Sequence, residues 1–384
     1  MHIFWTALLG LLLLLWILQL MEIARGVRAL PRLKDVAPLS GPNFPSVSIL
    51  FAARDEAEKL PGALASLLAL DYPNYEVVAV DDRSEDGTRE ILESAARESP
   101  RLKRVRVDTL PAGWLGKPHG LEQAYRLSTG EWLVFTDADV HFAPDVLRRV
   151  VALAMQNEWD HLTLLGHAQM YGFFEKIAMT FFGFGLIVGT KPWQARDPKS
   201  RRYIGVGAFQ MVRRSSYEAM GTHRRLRMEV IDDMKLAKVM KEAGYKSGAA
   251  RAGEAVSVYW HAGLRNIIRG TTKNFFATQG FSFWRTLGQI VVMILMFVLP
   301  FCALPFVRGW ALAFDLVAAV LAVIAEAGAA LEFGESPLWG LSFPVGALIF
   351  VWMLTRSMVV TLWRGGIVWR GTFYPLEELK RGVV

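Results

Sequence analysis

The chain has 384 residues, room for about two domains; 53% of them are hydrophobic and 21% charged. Its mean hydropathy of +0.27 is high for a soluble enzyme, so the apolar excess must be concentrated in segments. The net charge of +7 is spread along the chain and enriched beside the apolar segments, which suits an anionic membrane surface and excludes the aromatic-interleaved basic stripe of a nucleic-acid binder.

Ile3–Met21 carries no charge and is close to the roughly 20 residues that a helix needs to cross the hydrocarbon core. It lacks a basic n-region, and Arg25, Arg28, Arg32 and Lys34 lie directly after it. This pattern predicts an uncleaved transmembrane anchor over residues 1–24 and a basic juxtamembrane linker over 25–45, with the domain downstream of them in the cytoplasm. Cys302 is the only cysteine, so no intrachain disulfide framework exists, as suits a reducing compartment.

A globular pattern begins after the Pro38–Pro45 stretch. Val47–Phe51, Glu76–Val80, Arg104–Val107 and Trp132–Thr136 read as strands, and Leu60–Leu70, Thr88–Arg97 and Lys117–Leu127 as helices. This alternation predicts an α/β domain over 46–260, with a mostly parallel sheet and helices on both faces. Ligands of such sheets bind at the carboxyl ends of the strands. Gln169–Val188 is rich in aromatics and reads either as a buried helix of that domain or as a segment lying in the membrane interface.

Residues 261–285 read as an amphipathic interfacial segment, with Arg265, Arg269 and Lys273 on one helical face. Thr286–Val307, Gly309–Leu331 and Leu338–Thr355 predict about three transmembrane helices within 286–363. Asp315 and Glu326 lie inside the middle one, with Arg356 the expected partner of a structural trio. Trp363, Arg364, Trp369, Arg370 and Tyr374 read as an aromatic-basic belt opening an interfacial tail over 364–384. Three spans after a cytoplasmic domain would leave that basic tail outside, unless a proline-containing segment such as that of Pro300 and Pro305 is re-entrant.

Acidic residues fall where the sheet rule directs attention. Asp81 and Asp82 come after one strand, Asp137 and Asp139 after another, and Asp232 and Asp233 open a helix. Moving a sugar off a nucleoside diphosphate leaves concentrated negative charge, which a hard cation held by carboxylates neutralises. A further carboxylate must take the proton of the attacking hydroxyl. Each of these acids alone reads equally well as a cap or a turn.

The motifs SILFAARDEAEKL, VVAVDDRSEDGT, GKPHGLEQAYRLSTGEWLVFTDAD, GVGAFQMVRRSSYEAMG and EVIDDMKLAKVMKEAGYK together resemble the catalytic domain of family 2 glycosyltransferases over about Ser46–Tyr245. The resemblance implies the GT-A fold and metal-dependent, inverting transfer from a nucleotide-sugar, with a leaning toward UDP. It implies nucleoside contacts from Ala53, Glu56 and Asp82, and a diphosphate contact from Lys117. Asp137 would face ribose or metal, Asp139 would be the main ligand of Mg²⁺ or Mn²⁺, and Asp233 the catalytic base. Gly205 and Gly207 match the loop that flanks the acceptor site. Asp232 stands where the family has Glu.

The Gln-x-x-Arg-Trp motif of processive members is absent, while RGTTKNFF and WRGTFY resemble the bacterial membrane-anchored branch acting on carotenoid, hopanoid-related or ceramide-like lipids. The expected acceptor is therefore a hydroxyl or carboxyl of a membrane lipid or isoprenoid. The expected location is the inner cell membrane, with several spans. The alternatives are a processive polysaccharide or polyprenyl-phosphate glycosyltransferase, or a catalytically silent membrane scaffold.

Overall fold

The computed structural model describes residues 2–384. Eight strands form one sheet: β1 (Val47–Ala53), β2 (Tyr75–Asp82), β3 (Leu102–Val107), β4 (Trp132–Phe135), β5 (Val140–Phe142), β6 (His161–Ala168), β7 (Gln210–Arg213) and β8 (Ser247–Val258). Their order is β3-β2-β1-β4-β7-β6-β8-β5. The β3-β2-β1-β4 half is parallel, as the strand–helix alternation requires. Its inner strands are covered on both faces, so β1 reads as an almost unbroken apolar run and is almost wholly buried. β7 runs antiparallel to β4 and β6, and β5 to β8, which makes the whole sheet mixed. β2 extends two residues beyond the apolar run, so Asp81 and Asp82 are its buried last residues rather than loop residues.

Among the described residues, five helices are long and apolar enough to cross a membrane: His2–Ala29, Phe173–Gln194, Phe283–Cys302, Gly309–Glu332 and Pro337–Arg364. Their outward faces carry exposed large apolar side chains such as Leu14, Phe174, Trp284, Val320 and Trp352, the surface expected against lipid. The first packs against the fourth, with Leu9 and Leu12 among Ala303, Val307 and Ala311.

The second of these helices connects β6 to β7, and those strands pair in the eight-stranded sheet. A segment held at both ends by paired strands returns to the side it left, so it cannot carry the chain across. Phe181 and Phe184 pack on Trp16 and Phe343 of neighbouring helices, which places the segment among the apolar helices rather than in the sheet's own core.

The last helix, too, is tied near the sheet domain at both ends. Just ahead of it, Glu335 meets Lys176 at 2.8 Å, and at the end of the preceding helix Glu332 meets Arg251 of β8 at 2.6 Å. Beyond Arg364 the chain forms a hairpin of β9 (Gly366–Trp369) and β10 (Thr372–Pro375). Its turn residue Arg370 bonds Glu56, and Thr372 lies 3.5 Å from Arg54. Residues 364–384, expected as an interfacial tail with a belt, are thus folded back over the loop that follows β1, with Leu379 fully buried. The expected acid trio does not assemble either. Arg356 donates to Thr272, Glu326 accepts from Thr180 at 2.9 Å, and Asp315 meets no hydrogen-bond partner among the described residues.

Candidate active site

A cavity of about 2480 Å³ opens at the carboxyl ends of the parallel strands and continues between the apolar helices. Every site residue expected from sequence lines it: Ala53, Glu56, Asp82, Lys117, Asp137, Asp139 and Asp233.

Asp233 sits in the first turn of the Asp232–Glu242 helix, where the positive end of the helix dipole favours a carboxylate. Its Oδ1 accepts the Met234 amide at 2.8 Å and its Oδ2 the Gly207 amide at 3.0 Å. Gly207 is the point of convergence. A Cβ there would lie 2.8 Å from Asp137 Oδ2 and 3.4 Å from both Asp233 Oδ2 and Lys117 Nζ. Lys117 donates to Asp137 at 2.5 Å and stands 4.0 Å from Asp232. That ion pair explains a lysine at a helix start, which the dipole alone disfavours. Burial raises the pKa of both Asp232 and Asp233, each against the lowering pull of Lys117.

Asp139 receives Lys59 Nζ at 2.8 Å, and the same ammonium donates to the carbonyls of Tyr259 and Trp260. Burial first, and the charge of Asp137 second, push the pKa of Asp139 up, while Lys59 opposes both. Asp137 and Asp139 therefore form a pair of hard oxygen ligands that already attracts cations. The described residues contain no cluster of three or more metal-binding side chains. Two carboxylates completed by substrate phosphates and water are a usual environment for Mg²⁺, and the donor set fits that ion or Mn²⁺.

In the loop after β1, the Glu56 amide is held by Thr88 Oγ1 at 2.9 Å and the Glu56 carboxylate by Arg370. Asp82 takes a two-pronged contact from Arg83 at 2.8 and 3.0 Å. Gly116 has no room for a side chain because Asp82 fills that space.

Residues 48–221 match the family model described as glycosyl transferase family 2. This stretch belongs to that family. The chain is 40% identical over 113 residues to the beta-monoglucosyldiacylglycerol synthase of Trichormus variabilis, covering 29% of this chain and 24% of that protein. It is 24% identical over 238 residues to the 4,4'-diaponeurosporenoate glycosyltransferase of Staphylococcus haemolyticus, covering 61% of this chain and 62% of that one. The chain thus spans about a quarter of the length of the first relative and under two thirds of the second. Among solved structures, the mannosyltransferase PcManGT of Pyrobaculum calidifontis, in complex with GDP-Man and Mn²⁺, superposes with a TM-score of 0.55 at 21% identity, over 94% of this chain and 99% of that one. That likeness shows the fold, which is GT-A.

The family 2 motifs found in sequence end at the acids, and four further residues complete the cavity wall. Lys59 lies inside a quoted motif, but a lysine of a loop gives no sign that it reaches across the sheet to Asp139. Arg370 and Trp369 read as a membrane belt and instead close over the catalytic loops. Lys273 reads as sharing a helical face with Arg265 and Arg269, yet the helix ends at Thr271 and Lys273 turns into the cavity, which Arg269 also lines, while Arg265 stays exposed outside it.

Proposed function

We propose that the protein transfers a sugar from a nucleotide-sugar, by preference a UDP-sugar, to a hydroxyl or carboxyl of a membrane lipid or isoprenoid. The observation that carries this reading is the continuity of the cavity. Asp137, Asp139 and Asp233 share it with Phe182, Phe297, Phe350 and Leu354 of the apolar helices. A hydrophobic acceptor thereby reaches the acids without leaving an apolar surrounding.

In this reading Asp233 takes the proton of the acceptor as its oxygen attacks the anomeric carbon in line, giving inversion. Its hydrogen bonds from Gly207 and Met234 fix its direction, and its raised pKa makes it a stronger base than an exposed carboxylate. Asp137 and Asp139 would hold Mg²⁺ or Mn²⁺, which supplies charge neutralisation for the departing diphosphate. Lys117 adds a fixed positive charge on the same side. Ala53, Glu56 and Asp82 are assigned to the nucleoside on the family resemblance, and all three line the same cavity.

The arrangement of helices supports one side for the whole catalytic apparatus. His2–Ala29 enters it, Phe283–Cys302 leaves it and Gly309–Glu332 returns to it. Phe173–Gln194 and Pro337–Arg364 begin and end on it. With Arg25, Arg28, Arg32, Lys34, Arg364, Arg370, Lys380 and Arg381 all on that side, the basic-residue rule assigns it to the cytoplasm. In this reading the segment that does not cross is the unbroken Pro337–Arg364 helix, not the one with Pro300 and Pro305.

The test is lipid mass spectrometry of cells with and without the protein, together with turnover of labelled UDP-glucose, UDP-galactose, UDP-N-acetylglucosamine and GDP-mannose by the protein in nanodiscs of cell lipid. A new glycolipid and lipid-dependent donor consumption are expected. Unchanged lipids together with no consumption of any donor would sink the reading.

A further inference from the structure

Lys273 stands just beyond the Gly263–Thr271 helix, on the connection between β8 and the apolar helices, outside the stretch that matches the family. Its Nζ donates to Asn274 Oδ1 at 2.7 Å and lies 4.0 Å from the centre of the Trp369 ring, on the β9–β10 hairpin. It makes no salt bridge among the described residues. The cations beside the site's acids are committed to partners. Lys59 is bound to Asp139, Lys117 to Asp137, Arg83 to Asp82 and Arg370 to Glu56.

Lys273 therefore has ammonium hydrogens to spare, facing a space it shares with Asp232, Asp233, Asp137 and Lys117. Burial, and after it the like charge of Lys117, hold its pKa down to about 8, with the three carboxylates acting in the opposite sense. An ammonium with unfilled donors is best met by an anionic oxygen, since charge-assisted hydrogen bonds are about twice as strong as neutral ones. An uncharged acceptor hydroxyl offers only the weaker kind. A phosphate group offers the stronger.

We propose that Lys273 is a catalytic residue that hydrogen-bonds the departing diphosphate, and that Trp369 is the positioning residue that keeps its ammonium over the cavity. The proposal deepens the glycosyl-transfer reading above and rests on it. The bond from the anomeric carbon to the phosphate oxygen breaks, and its electron pair stays on that oxygen. The bond from the acceptor oxygen to the same carbon forms, and the acceptor proton passes to Asp233. Lys273 keeps its own protons throughout and donates a hydrogen bond to the oxygen that gains charge. The membrane-proximal part of the chain thus completes a site that the family 2 stretch begins.

The test uses the full chain in nanodiscs with Mn²⁺. Calorimetry compares UDP and GDP with uridine and guanosine for wild type, Lys273→Met, Lys273→Arg, Trp369→Phe and Trp369→Leu. One charge-assisted hydrogen bond predicts a loss of about ten-fold or more in diphosphate affinity for Lys273→Met. Affinity for the bare nucleoside should stay unchanged, and Lys273→Arg should recover most of the loss. Trp369→Leu should lower kcat more than it raises acceptor KM, with Trp369→Phe close to wild type. Wild-type diphosphate affinity in Lys273→Met, or an equal fall for nucleoside and diphosphate, overturns the assignment. A wild-type protein that binds neither diphosphate overturns the glycosyl-transfer reading itself, a result distinct from failure of the lysine alone.

Discussion

Asp233 and Gly207 are joined by a 3.0 Å hydrogen bond from the glycine amide to the carboxylate, and the glycine's missing side chain leaves the space through which that carboxylate faces Asp137. The acids quoted from distant motifs therefore meet at one backbone position, and substitutions there separate geometry from charge.

Asp233→Asn keeps the hydrogen-bond shape and removes the base. Transfer to the lipid acceptor should fall by about 10²–10⁴-fold, the usual contribution of a positioned general base, while UDP binding stays within about two-fold. Calorimetry and single-turnover transfer on the same preparation check it, and undiminished transfer rules out this residue as the base.

Gly207→Ala tests geometry alone. Its added methyl would sit 2.8 Å from Asp137 Oδ2, closer than ordinary contact allows. Displacing a carboxylate by a fraction of an ångström should cost on the order of 10²-fold in kcat, with a thermal midpoint close to wild type. Activity equal to wild type would show that the gap between the acids is not used.

Asp139→Ala should abolish the Mn²⁺ dependence of UDP binding, and Lys59→Met should lower the Mn²⁺ concentration needed for half-saturation, because Lys59 occupies Asp139 at 2.8 Å. Metal titrations monitored by UDP calorimetry check both. Equal UDP affinity with and without EDTA in the wild type would contradict a metal role.

His161 and His223 give a stability prediction. Both are buried, His161 against Gln210 at 3.0 Å and His223 against Tyr217 at 2.6 Å. Burial lowers their pKa values to about 4 and about 3. The unfolded chain protonates them first, at about 6.5, so it binds more protons throughout the window below that pH. Stability is full above the unfolded value and declines as pH falls from about 6.5 toward 4, by up to about 1.4 kcal/mol per unit for each histidine. The thermal midpoint measured from pH 7.5 to 4.5 should fall, and His223→Gln should flatten part of the slope.

Much of the catalytic half is legible in the sequence. β1 and β2 announce themselves because parallel strands covered on both sides need apolar residues at nearly every position, and their ligands gather at one edge. Asp137, Asp139 and Asp233 stand out for that reason. The features hidden from such a reading depend on contacts between remote segments. Arg370 carries the same local signature whether it meets lipid or Glu56, and only the hairpin's return over the catalytic loops decides between them. The Phe173–Thr190 helix is likewise ambiguous from composition, because one apolar face serves equally against a core, a neighbouring helix or lipid. Its position between two paired strands shows only that the chain returns to the sheet it left. Three apolar stretches at the end of the chain read as spans, and each forms a helix long and apolar enough to be one; where their ends are tied is a matter of remote contacts that hydropathy does not register.

The helix lodged between β6 and β7 has a practical consequence for anyone trimming this protein. Deleting the first apolar helix and everything past the sheet would still leave an oily insertion stitched into the middle of the eight-stranded fold. No choice of start and stop codon yields a detergent-free fragment containing all eight strands; only rewriting the lipid-facing side chains of that one internal helix, such as Phe173 and Phe174, would do so.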